Sequence, residues 1–130
     1  MILAIRTDKP LAELYLIGYS SEQIDSHKWE ANRKLADELL PAIQKIVITN
    51  KYHLQDIDGI VVFTGEGSFT GLRIGTTVAN TLAYSLEIPI VDSIGEDWLA
   101  AGVIKLEKAK PGKYVTPKYS SEPNITKPKA

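Results

Sequence analysis

Gly65-Glu66-Gly67-Ser68-Phe69-Thr70-Gly71-Leu72-Arg73-Ile74-Gly75 follows closely on the apolar run Ile60-Val61-Val62-Phe63, and this junction decides the fold. Four consecutive β-branched or aromatic apolar residues read as a strand buried on both faces. Behind them, a glycine-rich turn opens into a helical pattern over 71–86. A strand, a glycine-rich turn and a helix start commonly hold a ligand, and the obvious ligand is a phosphate at the positive end of the helix dipole. The details oppose that reading. A P-loop requires Gly-Lys-Ser/Thr after its spacers, and no lysine follows here; a dinucleotide fingerprint requires glycine where Thr70 stands. Glu66 would repel the phosphate. Ser68 and Thr70 are candidate nucleophiles, but no His or Lys in the motif supplies a base. A purely structural turn remains the other reading of the loop.

Outward from this junction the elements alternate. Towards the N-terminus, Ile2-Leu3-Ala4-Ile5 and Ala12-Glu13-Leu14-Tyr15-Leu16-Ile17 flank the turn Asp8-Lys9-Pro10 as a hairpin, with 22–29 as a third strand. From Ala31, apolar residues recur at 35, 36, 39, 40, 43, 46 and 47, the spacing of one helical face. Pro41 sits inside that pattern, so regular helix begins near Asp37 or kinks at the lost donor. Beyond the loop come a strand at 88–92 and a helix near 96–106. Three antiparallel strands followed by strand–helix alternation give an α/β fold with a mixed five-stranded sheet.

The helix over 71–86 carries two stripes. Gly71, Gly75, Ala79 and Ala83 recur every four residues, while Ile74, Val78, Leu82 and Leu86 form a larger apolar stripe. Small residues let another backbone approach closely, either the sheet of the same chain or a partner helix.

The 130 residues, 44% hydrophobic and 24% charged, bound an ordinary globular domain. No run of ~18 apolar residues suggests a membrane span, and the N-terminus has no signal-peptide pattern, so a cytoplasmic protein is expected. With no cysteine, disulfides, thiol catalysis and Cys-ligated zinc are excluded. His27 and His53 lie too far apart in sequence to read as a metal-binding pair, and no metal is expected. The net charge of −1 conceals an asymmetry. Lys105, Lys108, Lys110, Lys113, Lys118, Lys127 and Lys129 against Glu107 and Glu122 give residues 105–130 a net of +5, which leaves −6 on residues 1–104. Four of the seven prolines also fall in this tail, which reads as extended. It is expected either to lie on the acidic body or to meet RNA phosphates, with Tyr114 and Tyr119 available to stack on bases.

Read as a string, the loop resembles the G-x-G-S-F-T-G-L-R-I-G signature of the bacterial TsaB (YeaZ) family, in which Gly65, Gly67, Ser68, Phe69, Thr70, Gly71, Arg73 and Gly75 fall on motif positions. Asp58-Gly59-Ile60-Val61-Val62 is similar to the family's preceding strand. Leu39-Leu40-Pro41-Ala42-Ile43 resembles its L-L-P-x-I segment, and 76–83, 88–91 and 93–101 resemble its later elements. The likeness covers about residues 1–101. It implies a ribonuclease H-like lobe of the actin and sugar-kinase superfamily over residues 1–104, followed by the basic proline-rich tail, 105–130. It also implies a non-catalytic subunit, without cofactor, in the making of threonylcarbamoyladenosine on tRNA. In that family the subunit pairs with the catalytic TsaD through helices of this lobe, the ATPase TsaE joins them, and tRNA is met indirectly. On that basis the expected interface is Leu39, Ile43, Gly71, Gly75, Val78, Ala79, Leu82 and Ala83, with a homodimer through the same helices when the partner is absent.

Two departures from the family stand out. ATP-binding members of the superfamily carry an acid after the first strand, and here Ile5-Arg6-Thr7-Asp8 places Arg6 at that position. An arginine does not coordinate magnesium. Arg6 reads either as a surface charge or as an anion contact. The family's second lobe finds no room in this sequence, while 114–126 resembles its P-x-Y-x-R-E-P-x-I-T ending with Ser121 in place of the arginine. The alternatives to a partner subunit are an RNA-binding module using the basic tail and a small ATP-dependent enzyme using the glycine-rich loop.

Overall fold

The computed structural model describes residues 1–18 and 20–118. Strands β1 (Ile2–Arg6), β2 (Leu11–Ile17) and β3 (Gln23–Glu30) form an antiparallel meander. A 3₁₀ turn, Asn32–Lys34, leads into helix α1 (Leu35–Thr49), after which a second one, Leu54–Asp56, leads to β4 (Gly59–Phe63). Helix α2 (Phe69–Leu86), strand β5 (Ile90–Ser93) and helix α3 (Trp98–Leu106) complete the described elements. The sheet order is β3-β2-β1-β4-β5, with β4 parallel to both β1 and β5. This is the mixed five-stranded α/β sheet that the alternation of patterns predicts.

Period-2 alternation divides the sheet into two cores. Leu3, Ile5, Leu14, Leu16, Ile60 and Val62 point to one face, where α1 lays down Leu35, Leu39, Ile43, Ile46 and Val47 and α2 lays down Ala79, Leu82 and Ala83. Ala4, Tyr15, Ile17, Val61, Phe63 and Val91 point to the other, beneath Trp98 of α3. β4 is buried at every position, as a central parallel strand must be. α3 comes close to it at Gly102, where any Cβ would run into the side chain of Val61. β3, by contrast, is an edge strand with exposed and charged residues along it, a pattern that discourages pairing with other chains.

Several boundaries differ from the sequence pattern. α1 starts at Leu35 and runs as one helix through Pro41, so it does not wait for Asp37. Pro41 lies on the exposed side, where water can replace the donor it removes. α2 starts two residues early, at Phe69, because Ser68 caps it: the Gly71 N–H donates to Ser68 Oγ at 3.3 Å. At the other end Glu87 adopts a left-handed conformation, the usual way of closing a helix.

Past α3 the basic segment folds back. Asn80 of α2 clasps Val115 from both sides, donating from Nδ2 to its carbonyl and accepting its N–H, each at 2.9 Å. The Lys118 N–H donates to the Thr64 carbonyl. These backbone-directed contacts hold this stretch together with Val115, which packs partly buried on the first core, while Lys105 bonds Asp92 across α3 and β5. Tyr119 and the motif-like positions 119–126 lie outside the described residues.

Candidate functional site: the glycine-rich loop and the corner beneath it

The glycine spacing of the loop is explained by the corner at the end of β1. Thr7 and Asp8 leave β1 and press against the loop and the first two turns of α2. A Cβ at Gly71 would collide with the Thr7 carbonyl oxygen, one at Gly75 with Thr7 Oγ1, and one at Gly67 with Asp8 Cβ. Two bonds fix this approach: Thr7 Oγ1 donates to the Gly71 carbonyl at 2.7 Å, and the Ser68 N–H donates to the Asp8 carbonyl at 3.0 Å. The small-residue stripe thus packs on its own sheet.

This geometry buries most of the residues expected at an interface. Leu39, Ile43, Gly75, Ala79, Leu82 and Ala83 are buried within the chain, and Gly71 and Val78 are half-buried. A side chain closed inside its own core has no surface to offer a partner. On these two helices the exposed large apolar residues are instead Leu40, Ile48, Phe69 and Tyr84, and Thr77 is among the exposed uncharged ones. The motif residues divide similarly: Gly65 is buried beside the Phe63 ring, whereas Ser68, Thr70 and Arg73 are exposed.

The loop is poorly disposed to cradle a phosphate. Two amides that an anion would use, those of Ser68 and Gly71, already donate to Asp8 and to the Ser68 hydroxyl. The Ser68 hydroxyl acts as a helix cap, and Glu66 is exposed at the rim. An open hollow of about 830 Å³ lies beside the loop, lined by Lys9, Arg33, Lys34, Glu30, Glu38, Ser68 and Thr70, so its walls carry both charges. Among the described residues no group of three or more His, Asp or Glu is placed to hold a metal.

Arg6 is paired within the chain rather than left as a plain surface charge. Its Nε donates to Asp8 Oδ1 at 2.8 Å and its NH2 group to Asp8 Oδ2 at 3.2 Å, a two-pronged pair. The guanidinium lies 3.9 Å from the centre of the Phe63 ring. The bond to Asp8 raises its pKa further, against the opposing effect of burial. Behind it, Tyr15 donates to Glu13, and Trp98 packs edge-on against both Tyr15 and Phe63. Burial, then the bond to Glu13, pushes the Tyr15 phenol well above its usual range. Sequence reading missed this cluster. The signal was present in the hairpin register, which sets Arg6 opposite Glu13.

Comparison with known proteins bears on the family and the fold. The family described as "TsaD: tRNA N6-adenosine threonylcarbamoyltransferase" matches residues 21–119. The chain belongs to this family, on its TsaB (YeaZ) branch. It is 45% identical over 62 residues to the tRNA threonylcarbamoyladenosine biosynthesis protein TsaB of Bacillus subtilis, covering 48% of this chain and 27% of that protein. With TsaB of Escherichia coli it shares 33% identity over 90 residues, 69% of this chain and 38% of the relative. YeaZ from Pseudomonas aeruginosa superposes with a TM-score of 0.66 at 28% identity, covering 72% of this chain and 43% of that one. The fold is accordingly the actin-like, ribonuclease H-like lobe. The chain spans less than half the length of these relatives.

Two outcomes follow from the corner. Gly75→Ala should lose about 1–3 kcal/mol through overpacking on Thr7, despite alanine's better helix propensity. In a double-mutant cycle with Thr7→Ala, urea unfolding should show a coupling of about 0.5–3 kcal/mol; additivity within about 0.3 kcal/mol would contradict the contact. For Tyr15, the raised folded pKa means that its stabilising effect is complete below about pH 10, the usual tyrosine value, and is lost as pH rises further, because the unfolded chain releases a proton that the folded chain keeps. Urea titrations from neutral to strongly alkaline pH should therefore show a steeper alkaline loss of stability in the wild type than in Tyr15→Phe.

Proposed function

We propose that the chain is a non-catalytic partner subunit in the formation of threonylcarbamoyladenosine on tRNA. It pairs with a TsaD-like catalytic subunit through the outer faces of α1 and α2, with a TsaE-like ATPase in the wider assembly and tRNA met indirectly. The observation that carries this reading is the inward commitment of the loop: its glycines accommodate Thr7 and Asp8, and its Ser68 and Gly71 amides are already bonded. Arg6, at the position of the superfamily's metal-side acid, is locked to Asp8 and stacked on Phe63. A loop and a strand end arranged in this way support a scaffold role over phosphate chemistry.

The outer faces of the two helices support the choice of surface. Leu40 and Phe69 are 41% and 45% exposed, while Ile74 and Val78 lie half-buried on the outside of the first core. Apolar residues of this kind in a band across two packed helices suit a partner helix pair. A second copy would meet the same band when the partner is absent.

A pull-down with the TsaD-like subunit of the same genome tests the reading. The wild-type chain should retain that subunit. Leu40→Asp and Thr77→Arg should each weaken retention, with melting temperatures close to wild type because both positions are exposed. Retention by both variants at the wild-type level would remove α1 and α2 from the interface.

A further inference from the structure

The segment after α3 builds a surface that the partner reading does not use. Beside the outer edge of the sheet, β5 and the residues after α3 enclose an open hollow of about 430 Å³, lined by Lys105, Lys108, Lys110 and Lys113. Its single acidic lining residue, Asp92, is already bonded to Lys105 at 2.7 Å. A second hollow of about 340 Å³ adjoins it, between the C-terminal half of α2 and residues 112–114, with no acidic residue in its lining. The two share Lys113 and Tyr114, so they form one continuous path.

Two aromatic rings stand along this path. Tyr84 is 86% and Tyr114 is 76% exposed, and both line the second hollow. Neither ring packs into a core, yet each sits on an ordered support, Tyr84 on α2 and Tyr114 beside Val115, which Asn80 clasps.

We propose that this path is a binding site for single-stranded RNA, with Lys108, Lys110 and Lys113 tracking the phosphates and Tyr84 and Tyr114 stacking on bases. Lysine's compact charge on a flexible stem suits contacts with successive phosphates. An exposed ring stacks on any base that is unpaired, which favours a single strand over a duplex. The rest of the chain steers the ligand there, because residues 1–104 carry a net charge of −6 and repel a polyanion elsewhere. The site stands independently of pairing with a TsaD-like subunit.

The test is fluorescence anisotropy of the full chain with a fluorescein-labelled oligouridylate of about 12 nucleotides, within the usual span of a single-strand site. Binding should weaken steeply between about 50 and 200 mM salt. The triple reversal Lys108→Glu/Lys110→Glu/Lys113→Glu should weaken it by about tenfold or more and flatten the salt dependence. Tyr114→Ala and Tyr84→Ala should each weaken it by about fivefold or more. All five positions are exposed, so circular dichroism should report an unchanged fold. The lysine and Tyr114 variants, which lie off α1 and α2, should still be retained by the TsaD-like subunit, which separates loss of this site from failure of the partner reading. No binding at low salt, binding indifferent to the lysine reversals, full affinity in both tyrosine variants, or capture by phosphatidylserine vesicles without capture of the oligouridylate would each overturn the proposal.

Discussion

Thr7 and Asp8 turn the chain out of the central strand β1 directly into the start of α2, and this close approach constrains much of what surrounds it. The helix tolerates it only because Gly71 and Gly75 present no side chain, and the loop tolerates it only because Gly67 does the same. The Ser68 N–H and the Thr7 hydroxyl then tie the two segments with hydrogen bonds to Asp8 and Gly71. With α2 pinned at its N-terminus, Ala79, Leu82 and Ala83 follow into the first core, on the face that α1 also covers. The functional consequence lies on the far side of the helices: the small stripe is occupied, so any partner must read the larger residues outside it.

On the opposite face the same strand end is neutralised internally. Asp8 is almost fully buried, and a buried carboxylate without a partner would be costly; Arg6 supplies a two-pronged partner and remains partly exposed over the Phe63 ring. Glu13, also buried, accepts from Tyr15 across the same surface. An end of a parallel sheet that often receives ligands is here filled by side chains of the chain itself. This arrangement connects Arg6 to the proposed scaffold role.

The sheet was legible because its signals are local. Ile60 to Phe63 is apolar without interruption, the hairpin is punctuated by Asp8-Lys9-Pro10, and α1 repeats at helical spacing despite Pro41. The start of α2 was displaced by two residues because a serine cap outweighed the pattern that begins at Gly71. The site was less legible. A stripe of glycine and alanine states that something approaches closely, and only the tertiary arrangement identifies it as Thr7. The Arg6, Glu13 and Tyr15 cluster depends on strand register and on Trp98 arriving from α3, neither of which periodicity supplies.

The central claim is that the chain offers a partner the outside of α1 and α2, and the absence of native cysteine allows a direct measurement. Leu40→Cys and Ile104→Cys each place a single thiol at an exposed position, one on α1 and one on α3. Thiol labelling is then timed with and without the TsaD-like subunit. The account predicts that the subunit slows labelling at position 40 and leaves position 104 unchanged. Protection at position 104 with free labelling at position 40 would place the partner on the other face of the sheet and contradict it.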